Sequence, residues 1–191
     1  PRVPLVLFSH GLGGCALQTI FLTEELARHG YVVAAPDHAD AATCGIDRDG
    51  LRLQNLRTDQ TFLEPLRWND QSEIGRANDM REVTRRVAAD KQVGSIVDIK
   101  RIGAIGHSLG GYTVVGLAGG WPTWTLPQLK AVVALSPYIA PFVAHRTLDR
   151  LAAPVMFQGA EFDWGITPVL EGPTGAYAQS MQGLAAIVNY G

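Results

Sequence analysis

The stretch "IGAIGHSLGGYT", residues 102–113, decides how this chain is read. A short apolar run ends in Gly106-His107-Ser108-Leu109-Gly110, and small residues follow in "LGGYTVVGLAGG". Glycines two positions before and two after a serine suit a sharp strand-to-helix turn, where neighbouring backbone leaves no room for side chains. Ser108 on such a turn is a candidate nucleophile. Its hydroxyl barely ionises at neutral pH, so it needs a base to take the proton.

Outward from this turn, apolar runs alternate with longer segments of helical spacing. The runs are "VPLVLFSH" (3–10), "YVVAAPD" (31–37), "RIGAIGH" (101–107), "AVVALSP" (131–137), "APVMFQG" (153–159) and "GLAAIVNY" (183–190). Their near-continuous apolarity predicts strands covered on both faces, as in a parallel sheet. Between the first two, "QTIFLTEELARHG" carries Ile20, Leu22, Leu26 and Ala27 at helical spacing, with Gly30 as the stop. A second helix over about 74–92 sets Ile74, Met80, Val83 and Val87 on one side and charges on the other. The alternation predicts a doubly wound α/β fold, a mostly parallel sheet with helices on both faces, in one domain over 1–191. Such sheets bind ligands at the carboxyl ends of their strands, where Ser108 falls. Residues 38–73 are polar and too long for an ordinary connection, and they read as an excursion over those strand ends.

Composition narrows the partners. Of 191 residues 47% are hydrophobic and 18% charged, with a net charge of -2, so no basic surplus is present to offset nucleic-acid phosphates. No apolar run reaches the ~20 residues of a transmembrane helix. The start "PRVPLVLFSHG" shows no signal-peptide cleavage pattern, and the compartment, cytoplasmic or secreted, stays open, as does the oligomeric state. Cys15 and Cys44 allow one bridge at most.

A second glycine-rich turn, "FSHGLGG" (8–14), ends the first strand. Acyl transfer places negative charge on a carbonyl oxygen, and fixed N–H donors stabilise it by roughly 3–4 kcal/mol each when measured by deletion. One such donor belongs to the residue after the nucleophile and the other to a turn of this kind. The candidates are Leu109 and Leu12.

"FSHGLGG" followed about a hundred residues later by "GHSLGG" resembles the α/β-hydrolase serine esterases. Within them the chain is similar to the group of dienelactone-hydrolase-like bacterial esterases and platelet-activating-factor acetylhydrolases. "LARHGYVVAAPDHAD", "ALSPY" and "FDWGITP" fall where those proteins carry comparable segments. The resemblance implies the order serine, acid, histidine, with the acid in a loop just after a strand. After "AVVAL" stands Ser136, where the acetylhydrolase branch carries its acid. After "APVMFQG" stand Glu161 and Asp163. Asp163 has the usual spacing and is the preferred acid, with Glu161 in reserve.

Five histidines are present, and none lies in the loop that follows the last strand, the family position of the base. His107 sits beside the nucleophile but its side chain should leave the turn in another direction. His10 should brace the glycine turn, and His29 suits a helix C-terminus. His38 and His145 remain as substitutes. The resemblance therefore implies a histidine beyond Gly191, and a chain clipped at both ends.

Trp121, Trp124, Tyr138 and Trp164 lie in loops that converge at one end of the sheet, where some of them can line a pocket or simply pack. "DHAD" (37–40) is a weak metal pattern, and no metal or cofactor is expected. The resulting expectation is a serine carboxylic-ester hydrolase working through an acyl-serine on a small-molecule or lipid ester. A lipase, phospholipase or polyester hydrolase would use the same machinery. A binding module on a catalytically dead hydrolase fold is the rival from another class.

Overall fold

The computed structural model describes residues 2–42, 62, 64–160, 163 and 185–190, with residue 160 and the last six as backbone only. Six strands form one sheet: β1 (Val3–Ser9), β2 (Val32–Ala34), β3 (Val97–His107), β4 (Leu129–Leu135), β5 (Val155–Ala160) and β6 (Ala185–Tyr190). Their spatial order is β2-β1-β3-β4-β5-β6, and every pairing is parallel. The order reverses between β1 and β3. At such a switch point the crossovers leave on opposite faces, and a crevice opens at the carboxyl ends. Ser9 and Ser108 stand on its two sides.

Burial explains the apolar runs. Leu5, Val6, Leu7 and Phe8 are all buried, although successive residues of a strand point to opposite faces, so β1 is covered on both sides. In the last part of β3, Ile102, Ala104 and Gly106 are buried while Gly103, Ile105 and His107 are half-buried. One face there is packed more deeply than the other.

The first predicted helix forms as α1 (Ile20–Arg28) and stops at Gly30, whose φ of +87° only glycine adopts without strain. None of its residues is fully buried, and Ile20 and Phe21 are exposed. The second forms as α2 (Ile74–Ala89), followed by the short α3 (Val93–Ile96) that leads into β3. Ala77 and Met80 are buried, with Ile74, Val83 and Val87 packed on the core. The expected segregation of charge fails at one place. Arg76 lies on the inner face and is 2% exposed.

After Ser108 comes α4 (Leu109–Val115), buried along its whole length. Its glycines permit that depth. A Cβ on Gly110 would stand 1.9 Å from the Ser9 carbonyl oxygen, and one on Gly111 2.5 Å from Pro137 Cβ. The helix opens into a wider turn over Gly116–Gly120, with Gly119 at φ 116°, before the loop that carries Trp121 and Trp124. Following β4 comes the short α5 (Ala140–Ala144), the last α-helix among the described residues.

The loop aromatics pack inward instead of lining a pocket. Trp121 Nε1 donates to Tyr112 Oη at 2.8 Å, Trp124 Nε1 to the Asp70 carbonyl at 2.7 Å, and Tyr138 Oη to the Phe62 carbonyl at 2.8 Å. Burial pushes the Tyr138 phenol up to about 12. Trp68, 3% exposed, meets Tyr112 and Tyr138 with ring centroids 5.1 and 5.0 Å apart, which anchors the far end of the 38–73 excursion in the core. The middle of that excursion (43–61), with Cys44, lies outside the described residues, as do Glu161, Trp164 and Gly191. Cys15 is buried and disulfide-bonded.

Candidate active site

Ser108 caps α4 with φ 54° and ψ -117°, a conformation that costs a residue with a side chain about 1–3 kcal/mol. The surrounding packing imposes it. Ser108 N–H donates to the Leu135 carbonyl of β4 at 2.9 Å, and the Ser108 carbonyl accepts from Tyr112 N–H at 3.1 Å and Tyr138 N–H at 3.2 Å. Gly106 and Gly110 must approach closely for the turn to close, since a Cβ on Gly106 would stand 2.1 Å from the Gly110 carbonyl oxygen. The serine is left half-buried, with its side chain against the glycine turn of β1: a Cβ on Gly11 would be 3.3 Å from Ser108 Cβ.

Four successive amides of that turn have separate fates. Gly11 N–H donates to Gln18 Oε1 at 2.8 Å, Gly13 N–H to Asp40 Oδ2 at 3.2 Å, and Gly14 N–H to the Gly11 carbonyl at 3.0 Å. Leu12 N–H makes no hydrogen bond among the described residues. Leu109 N–H, the first amide of α4, has no partner within the helix, as the helix ladder dictates. Among the described residues, two main-chain donors without a partner thus stand on the turns that flank the Ser108 side chain.

Asp163, after β5, is half-buried, and its carboxylate favours the charged form of the His107 ring while burial lowers that ring's pKa more strongly. His107 Nδ1 faces Gly11, 3.2 Å from where a Cβ would stand there.

The remaining histidines have other partners. His10 braces the glycine turn as expected: Nδ1 donates to the Gly11 carbonyl at 2.7 Å and Nε2 accepts from His38 N–H at 3.0 Å. His38 is not turned toward Ser108. Its Nε2 accepts from Ser9 Oγ at 2.9 Å and its Nδ1 donates to Asp79 Oδ2 at 2.8 Å. Burial pulls His38 down to about 4, against the hydrogen bond it donates to Asp79, which raises it. His145 is exposed, edge-on to Trp121, and His29 bonds the Glu25 carbonyl at the end of α1.

The donors of "DHAD" serve the fold. Asp37 accepts from Ala16 N–H, His38 is held as above, and Asp40 pairs with Arg76 at 2.5 Å. Beside the turn, toward the start of α2, lies a cleft of about 240 Å³ lined by Leu12, Asp40, Gln71, Glu73, Arg76 and Asp79.

Sequence reasoning missed Arg76, Ser9 and Asp79. A signal for Arg76 was present: it stands four residues before Met80, in line with Val83 and Val87, so helical periodicity puts it on the core face.

The comparisons with known proteins agree with this architecture. The family model of platelet-activating factor acetylhydrolase, isoform II, matches residues 1–49. The platelet-activating factor acetylhydrolase of Bos taurus is 30% identical over 189 residues, covering 84% of this chain and 40% of that protein. That of Cavia porcellus is 26% identical over 186 residues, covering 84% and 41%. The chain therefore spans about 40% of the length of the curated relatives it matches. Among solved structures, one assigned as a dienelactone hydrolase of Klebsiella pneumoniae superposes with a TM-score of 0.69 at 19% identity, covering 100% of this chain and 74% of that one. A ferulic acid esterase of Streptomyces cinnamoneus gives 0.61 at 21%, covering 99% and 51%. The chain has the α/β-hydrolase fold, and it is similar in sequence to the platelet-activating factor acetylhydrolases and in structure to a dienelactone hydrolase.

Proposed function

We propose that the protein hydrolyses carboxylic esters through an acyl-serine on Ser108. One observation carries the reading: a half-buried serine held at φ 54° faces a glycine turn, with the Leu12 and Leu109 amides unused among the described residues on either side. Ser108 Oγ attacks the ester carbonyl, its proton passes to a histidine, and the oxyanion rests on the two amides. Collapse expels the alcohol, which takes that proton. Water, activated by the same histidine, then releases the acid and frees Ser108. In the order serine, acid, histidine, Asp163 has the part of the acid, which orients that histidine and stabilises the imidazolium.

Relatives named as acetylhydrolases support a small acyl group on a small-molecule or lipid ester. The test is turnover of a short-chain chromogenic ester by the protein and by Ser108→Ala. Turnover that vanishes in the variant supports the reading, and turnover that survives unchanged ends it.

A further inference from the structure

Arg76 stands behind both turns of the candidate site, and its guanidinium touches elements that belong to each. It donates through Nη2 to the His10 carbonyl, at the start of the glycine turn. Through Nη1 it donates to Asp40 Oδ1 at 2.5 Å, and Asp40 Oδ2 in turn accepts from Gly13 N–H, at the end of the same turn. Leu12 lies between these two tethered points. Through Nε Arg76 donates to Thr113 Oγ1 at 3.2 Å, whose hydroxyl donates to the Leu109 carbonyl at 3.0 Å. Leu109 carries the second unused amide.

We infer that Arg76, with Asp40, is a positioning device that sets the Leu12 and Leu109 amides at a fixed separation around the oxyanion. The inference rests on the acyl-serine reading and assigns these two residues a part in it. Arg76 is 2% and Asp40 7% exposed, and their polar atoms are engaged with each other and with the turn, so both act through the backbone they hold. A buried ion pair is a poor way to gain stability, because desolvation offsets the attraction and apolar residues of like volume often do as well. What a planar guanidinium supplies is several donors in a rigid fork, which fixes three acceptors relative to one another. A lysine carries the charge without that fork. Oxyanion stabilisation depends on donor placement to a fraction of an ångström, so a small drift of either turn acts on the transition state and hardly on the bound ester.

The test compares Arg76→Lys and the double variant Arg76→Met/Asp40→Leu with the unchanged protein. The lysine keeps a charge beside Asp40, while the double variant removes both charges so that none is left buried alone. For each, melting temperature, kcat and KM on a short-chain ester, and the inhibition constant of a boronic acid that mimics the tetrahedral intermediate are measured. The expected result is kcat lower by about 10–100-fold, KM within about 3-fold, and boronate affinity weakened by the same factor as kcat. A folded variant whose kcat and boronate affinity stay within about 2-fold of the unchanged protein overturns the inference, as does a rise in KM alone. Arg76→Lys decides the matter if the double variant does not fold. Ser108→Ala in parallel separates the two levels: survival of turnover there overturns the acyl-serine reading, whereas its loss together with unaffected Arg76 variants overturns only the positioning role.

Discussion

Two serines end neighbouring strands of this sheet, and their surroundings are nearly opposite. Ser9, at the end of β1, donates to His38 Nε2, and His38 Nδ1 donates to Asp79, which is the hydrogen-bond sequence of a Ser-His-Asp triad. Yet Ser9 is 0% exposed, lies in ordinary strand conformation and has no room before it. Ser108, after β3, has no histidine on its hydroxyl among the described residues. It has instead a left-handed backbone, partial exposure and two unused amides on the adjoining turns. A chain of hydrogen bonds is cheap to assemble wherever a buried polar cluster must be satisfied. A serine forced out of the favoured backbone region, in front of unpaired donors, costs stability, and a fold retains it where reaction geometry matters.

The largest effect should separate the two serines directly. Ser108→Ala is expected to lower ester turnover by about 10⁴-fold or more. Ser9→Ala should lower it by less than about 10-fold and destabilise the protein by about 1 kcal/mol, the scale of one buried hydrogen bond. Steady-state kinetics beside a denaturant titration measures both, and a reversal of the two would exchange their roles. Next in size, Asp163→Asn should reduce turnover by about 10³–10⁴-fold through loss of histidine orientation, while Glu161→Gln leaves it nearly unchanged. A large loss in the second with none in the first would move the acid to Glu161.

The glycine packing of the elbow is tested by Gly110→Ala. Its Cβ would stand 1.9 Å from the Ser9 carbonyl, so the variant should lose about 3 kcal/mol or more of stability, read as a lowered melting temperature. An unchanged melting temperature would mean that the two strand ends are not in contact.

The smallest effect belongs to the polar cluster behind the turn. His38 has a pKa near 4 in the folded chain, lowered by burial and held partway by Asp79, with His10 and Arg76 as its other charged neighbours. The unfolded chain binds a proton at about pH 6.5 that the folded chain refuses until about pH 4. The associated stability is therefore complete above about pH 6.5 and lost as the pH falls toward 4. Urea midpoints between pH 7 and pH 4 should fall accordingly, and His38→Gln should flatten that dependence.

The same contrast shows what a sequence makes legible. Strands β1 and β3–β5 were visible because their buried positions write themselves as runs of Val, Ile, Leu and Ala, at successive residues in β1 and at alternate residues in the later part of β3 and in β5. Both glycine turns were visible because only glycine fits where backbone meets backbone. The polar cluster was hidden. Ser9, His38, Asp40, Arg76 and Asp79 are ordinary surface residues by type, and only their meeting across 70 residues of sequence turns them inward. Arg76 was counted among the solvent-facing charges of α2, although its spacing from Met80 put it on the core face. For the loop aromatics the sequence left pocket and packing both open. Trp121, Trp124 and Tyr138 occupy strand-end loops, as pocket residues do, but each satisfies its polar atom inside the core.

The most direct measurement is the site of covalent modification by a serine-reactive fluorophosphonate, mapped by mass spectrometry of the digested protein. A phosphonyl adduct is expected on Ser108, absent from the Ser108→Ala variant and undiminished in Ser9→Ala. An adduct on Ser9, or ester hydrolysis by a protein that never carries one on Ser108, contradicts the assignment of the nucleophile.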